Sequence, residues 1–190
     1  FTIQLPLFHH YQNRKSVTKP EEKARVKIDQ WLTDAGWKVI NRDEFEANSS
    51  AVAVREGLLK GNKEADYFLF INGKAIGVLE AKREEIDVTQ QTVCEQIEGY
   101  ARGVPSYYTA YQKPLPFLYT SNGKHLYFRD FRKEKSDYEE ISVMHKPKRM
   151  VDMLGIEDPF AGLPSLNPKG LRACQYEAIT ELEKSFRNGQ

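Results

Sequence analysis

The stretch from Asp66 to Lys82 limits the fold of this chain more than any other. Tyr67-Phe68-Leu69-Phe70-Ile71 is an unbroken apolar run, Asn72-Gly73 a turn signal, and Ala75 to Lys82 a second, mostly apolar run. Two such runs joined by Asn-Gly read as a buried β-hairpin. Asp66 directly precedes the first strand, and Glu80-Ala81-Lys82 closes the second. Residues two apart on a strand share a face, so Glu80 and Lys82 project together, behind Ile76 and Val78. Charge therefore stands where an apolar stripe would otherwise continue. A buried ion is costly unless it is paired or binds a metal.

Asp66 and Glu80 would meet at one end of this hairpin, two anionic oxygen donors with a lysine beside them. Hard divalent cations, Mg²⁺ above all, take such ligands. Register decides whether the pair forms. A strict two-residue turn at Asn72-Gly73 pairs Asp66 with Leu79 and points it away from Glu80. The site therefore requires one extra residue, from a three-residue loop around Gly73 or from a bulge, with Gly77 a suitable place. On these residues alone, metal-dependent phosphodiester chemistry and a structural salt-bridge pair are both open readings.

The remaining pattern is that of an α/β domain around one mixed sheet. Pro20 to Gly36 reads as an amphipathic helix, with Ala24, Ile28, Trp31, Leu32 and Ala35 on its apolar face. Trp37 to Ile40 reads as a strand, and residues 51–54 as another. Residues 88–102 carry Val93, Ile97 and Ala101 at helical spacing. A second hairpin joins Phe117–Thr120 to Leu126–Phe128 through Ser121-Asn122-Gly123-Lys124. From Pro147 to Gly170 the prolines and glycines predict linker chemistry with little helix or strand. Residues 171–186 predict a last helix, with Cys174, Ala178, Ile179, Leu182 and Phe186 on one side. The expected division is an N-terminal extension (1–19), a catalytic domain (20–150), a linker (151–170) and a first helix of a further domain (171–190).

Composition excludes several function classes. No apolar run approaches the roughly 20 residues a membrane span needs, and no signal peptide opens the chain. Cys94 and Cys174, far apart and outside any CxxC, give neither a disulfide framework nor a zinc site, and point to the cytoplasm. His9-His10, His125 and His145 lack metal-site spacing. Lys146, Lys148 and Arg149 read as solvated surface, and Tyr107-Tyr108-Thr109-Ala110-Tyr111 as a loop packing its rings on the sheet. With 28 basic against 27 acidic residues, the net charge of +1 argues against tight nucleic-acid binding by this chain alone.

Asp66, thirteen intervening residues and then Glu80-Ala81-Lys82 resemble the PD-(D/E)xK nuclease motif, with Glu64-Ala65 where the proline often stands. Several stretches are similar, in order, to the N-terminal nuclease region of the R (restriction) subunit of type I restriction-modification enzymes. They are Glu21 to Arg25 leading to Ala35-Gly36-Trp37, Ala65-Asp66-Tyr67, Val78 to Lys82, Gln96 to Ala101 and Thr120 to Gly123. The resemblance implies a restriction-endonuclease-like mixed sheet flanked by helices and Mg²⁺-dependent cleavage of double-stranded DNA without intrinsic sequence specificity, with Mn²⁺ able to replace Mg²⁺. It assigns Asp66, Glu80 and the carbonyl of Ala81 to the metal and Lys82 to catalysis. Gln96 and Tyr100 match the QxxxY motif of the RecB-like branch, as catalytic and DNA-contacting residues, and Glu21 matches a first-helix glutamate. Arg83 and Arg102, next to these motifs, are candidate DNA-backbone contacts.

Leu171 to Ile179 resembles the stretch before the nucleotide-binding loop of superfamily-2 helicase motors, which makes Gln175 the adenine-sensing glutamine of an ATP-driven motor. The chain itself contains no Gly-x-x-x-x-Gly-Lys-Ser/Thr loop. The partners implied are DNA and the modification (methyltransferase) and specificity subunits, with no membrane. Two other readings are a vestigial module that docks or couples without cutting, and a free-standing repair nuclease.

Overall fold

The structure, a computed structural model, describes residues 20–47, 49–58, 64–134, 136–156 and 166–188. The expected extension 1–19, with His9 and His10, and the middle of the expected linker lie outside them.

Seven strands form one sheet in chain order: β1 (Lys38–Ile40), β2 (Ala51–Leu58), β3 (Glu64–Ile71), β4 (Lys74–Ala81), β5 (Phe117–Ser121), β6 (Leu126–Asp130) and β7 (Glu139–Glu140). β1–β2 and β4–β5 are parallel and the other pairs antiparallel, so the sheet is mixed as expected. Parallel strands need a long crossover. Between β4 and β5 this is α2 (Gln91–Arg102), whose Ile97 and Ala101 pack on one face with Val54, Phe68, Val78 and Leu118. α1 (Pro20–Asp34) covers the other face, burying Ile28 and Leu32 against Tyr67, Leu69 and Leu79.

Residues 147–154 depart from the linker expectation. They form a helix, α3 (Pro147–Leu154), that buries Met150 and Leu154 in the same core as α1. The proline is the reason: at the first helical position it costs no hydrogen bond and starts the helix. Gly155, left-handed at φ 65, ends it. β2 likewise runs four residues past the strand expected at 51–54. α4 (Ala173–Asn188) forms as expected, but Cys174 is exposed and Leu182 is 53% exposed, while the Phe186 side chain lies outside the described residues.

The turn between β3 and β4 is the two-residue one, with Asn72 and Gly73 both left-handed (φ 48 and 70). The extra residue enters further along. Leu69 pairs with Gly77 but Phe70 with Ala75, leaving Ile76 as a bulge beside Gly77. The bulge corrects one expectation: Ile76 packs on the α1 face, opposite Val78. It also brings Asp66 into register with Glu80, one step beyond the Tyr67–Leu79 pair. Asp66 lies within β3 rather than before it.

β2 has its own irregularity opposite Asp66. Glu56 is left-handed at φ 53, and the following Gly57 lies against Phe68, where an added Cβ would sit 2.1 Å from the ring. Gly57→Ala is therefore expected to destabilise the domain by about 1–3 kcal/mol through overpacking. Urea unfolding checks this, and an unchanged midpoint would sink it.

Candidate active site

The apolar row Val54–Phe68–Val78–Leu118 runs across β2 to β5, fully buried. The next row on these strands is polar. Glu80 pairs with Thr120, Asp66 stands opposite Glu80 by continuation of the register, and Glu56 opposite Asp66. The site thus forms where the apolar stripe ends.

Asp66 and Glu80 are nearly enclosed, with side chains 10% and 4% exposed. Asp66 Oδ1 accepts from the Arg25 guanidinium, and Oδ2 accepts from the Ala81 backbone N–H at 2.8 Å. Glu80 Oε1 accepts from Lys82 Nζ at 2.5 Å and from Gln96 Nε2 at 2.7 Å. Lys82 Nζ also donates to Gln96 Oε1 at 3.0 Å, and Gln96 Nε2 to the Tyr100 hydroxyl at 2.5 Å. Four of the expected residues, Glu80, Lys82, Gln96 and Tyr100, therefore form one network at the end of β4 and on α2, and Asp66 stands beside it, bonded to the Ala81 backbone.

Burial, reinforced by the Asp66 charge, pushes the Glu80 carboxyl up to about 7 against the opposing pull of Lys82. Burial also raises the Tyr100 hydroxyl, which keeps it protonated.

Two oxygens in this row have no partner among the described residues: Glu80 Oε2 and, opposite it, Thr120 Oγ1. Buried polar atoms are rarely left unsatisfied. The donor set is hard oxygen, and Glu80 offers an unused acceptor beside Asp66, so these residues fit a divalent cation of the Mg²⁺ class. Among the described residues no cluster of three or more His, Cys, Asp or Glu residues has metal-holding geometry, so the carboxylates available at this end of the hairpin are Asp66 and Glu80.

The remaining expected residues are placed differently. Arg83 is exposed directly after Lys82. Arg102 does not face the site: two residues past Tyr100 it is about 200° further round the helix. There it pairs with Glu98 at 3.1 Å and stacks on Phe131. Glu21 lies in the first turn of α1, and its side chain is outside the described residues. Gln175 is exposed and accepts from the Arg172 N–H at 3.0 Å, a cap on its own helix. His145 packs against Phe128 and bonds the Tyr119 hydroxyl at 2.8 Å, while His125 pairs with Glu140 on the surface. Of the aromatic loop, Tyr108 is buried among Phe45, Phe68 and Phe70 as expected, while Tyr107 and Tyr111 are exposed.

Two residues at the site were not singled out from the sequence, Arg25 and Glu56. Arg25 Nη1 donates to Glu56 at 3.2 Å while Nη2 holds Asp66. Arg25 borders the apolar face of its helix, next to Ala24, which is a weak signal. Nothing in the sequence marks Glu56.

An acid whose folded pKa lies above its ordinary value of 4.5 stabilises the fold fully below that value and loses the contribution as pH rises through about 7. Relative to Glu80→Gln, wild type is thus expected to lose on the order of 1–3 kcal/mol of stability between about pH 5 and 8. Urea unfolding of both proteins across that range checks it, and parallel pH curves would refute it.

Comparison with known proteins places the chain in a family through one family model. The family model for the second domain of the type I restriction enzyme EcoKI endonuclease subunit matches residues 42–154, ending where α3 ends. The EcoKI endonuclease subunit of Escherichia coli (strain K12) is 27% identical in an alignment covering 93% of this chain and 20% of that protein. The chain therefore spans about a fifth of this relative's length. Among solved structures, the type IIG restriction endonuclease BpuSI matches with a TM-score of 0.44 and 17% identity, over 88% of this chain and 16% of that one.

Proposed function

Since the chain belongs to the family of type I restriction enzyme endonuclease subunits, we propose that it is a DNA-cleaving domain that hydrolyses phosphodiesters of double-stranded DNA with Mg²⁺, without reading sequence itself. One observation carries the reading: Glu80, 4% exposed, keeps an oxygen without a partner among the described residues beside Asp66, at the end of an otherwise apolar hairpin.

In this reading Asp66 and Glu80 hold the ion, with the Ala81 carbonyl as a further ligand. When bound, Mg²⁺ supplies Lewis-acid stabilisation of the charge that develops on the phosphodiester. Lys82 adds a fixed positive charge from the same strand end and orients the attacking water. Gln96 sets the position of both Lys82 and Glu80, and Tyr100 fixes the Gln96 amide from one helical turn away. Arg83, exposed next to Lys82, is placed for a backbone phosphate. Target recognition and methylation then belong to specificity and modification subunits. ATP hydrolysis is assigned elsewhere in the full-length subunit, where Gln175 would serve the motor.

A second reading, a module that couples without cutting, draws on the ion pairs that already satisfy Asp66 and Glu80 Oε1. Asp66→Ala or Lys82→Ala in the assembled complex separates the two. Nuclease function predicts that DNA cleavage falls at least about 100-fold while ATP hydrolysis is retained. Unchanged cleavage in both variants would reject these residues.

A further inference from the structure

The positive charge on Asp66 does not come from the hairpin. It comes from Arg25 on α1, the helix that packs on the opposite face of the sheet. Opposite Asp66 on the other neighbouring strand stands Glu56. Facing acids on adjacent strands are roughly 5 Å apart and repel. The Glu56 backbone leaves the extended region (φ 53), and its carboxylate accepts from Arg25 Nη1 at 3.2 Å. One guanidinium therefore lies between Glu56 and Asp66, on the side of Asp66 away from Glu80.

This arrangement is held at a cost. Arg25 Nε is buried without a partner among the described residues, and a left-handed glutamate is strained. Strained residues of this kind cluster at functional sites.

We propose that Arg25 is a resident counter-cation of the site. It fills the Glu56–Asp66 gap with its own charge, so the domain takes a single divalent ion, on the Asp66–Glu80 side, and takes it weakly. The inference rests on Asp66 and Glu80 being the metal carboxylates, and it adds that Glu56 is the anchor of Arg25 and not a ligand. Neutralising Arg25 removes a positive charge beside a ligand and strengthens cation binding. Neutralising Glu56 leaves Arg25 uncompensated beside Asp66 and weakens it. A merely structural role for the pair would make both substitutions weaken binding.

The test is Mn²⁺ titration of the 190-residue chain by calorimetry, with thermal unfolding as the check on folding. Wild type is expected to bind one ion, lost in Glu80→Ala. Arg25→Gln should tighten the first ion by at least about tenfold, Arg25→Lys should stay near wild type, and Glu56→Gln should weaken binding by a similar factor. Should Arg25→Gln fail to fold, Arg25→Met takes its place, with the same tightening expected and unchanged or weaker binding overturning the proposal. Two ions on wild type, one of them lost in Glu56→Gln, would make Glu56 a ligand and overturn the proposal. Unchanged or weaker binding in a folded Arg25→Gln would also overturn it, leaving the nuclease reading intact as long as Glu80→Ala still abolishes binding. Absence of any Glu80-dependent ion would overturn both.

Discussion

One unpaired residue in β4 sets the chemistry of this domain. Side chains alternate across a strand, so a regular hairpin closed by Asn72-Gly73 would put Asp66 and Glu80 on opposite faces of the sheet. The bulge at Ile76 shifts β4 by one position against β3, and beyond it every pair is re-phased. Its effect reaches past the two acids. Ile76 is delivered to the α1 core, Val78 stays under α2, and Glu80 lands where Gln96 can reach it. The crossover helix α2 then closes the site, because parallel pairing of β4 with β5 requires a helix over that face.

The sequence carries the architecture well where the pattern is strong. The two apolar hairpins, the amphipathic face of α1 and the 93/97/101 spacing of α2 are each fixed by burial, and burial leaves a periodic trace. Asp66, Glu80 and Lys82 are legible because charge interrupts that trace at a strand end. Gln96 and Tyr100 are legible as one helical turn, although their contact with Glu80 depends on how α2 lies over β4.

What the sequence does not carry is long-range or local to a few dihedral angles. Arg25 reaches Asp66 across 41 positions, from a helix on the other face, and no periodicity records that. Glu56 matters through a left-handed backbone that Gly57 makes room for against Phe68, and a glutamate in that region has no propensity signal. α3 is hidden for a different reason. Its eight residues are too few for a clear period, and the prolines that follow draw attention away from Pro147 as a helix start. Arg102 shows the converse, since a position two past Tyr100 on a helix faces another way.

The ion pairs of the site bear on whether its acids are structural. Buried salt bridges contribute little net stability, because desolvation consumes most of the attraction, and apolar side chains of similar volume often serve a core better. The adjacent row supplies the comparison within the same sheet. Val54, Phe68, Val78 and Leu118 occupy the equivalent positions one row, two residues, away and are fully buried without any polar group. A sheet that closes one row with four apolar residues gains no stability by placing in the next a carboxylate oxygen and, opposite it, a threonine hydroxyl that have no partner among the described residues. Near-neutral net charge fits the same picture. In the proposed nuclease the acids of the site would offset the basic residues around it, and the sum over the chain would understate the charge a phosphate meets beside Lys82 and Arg83.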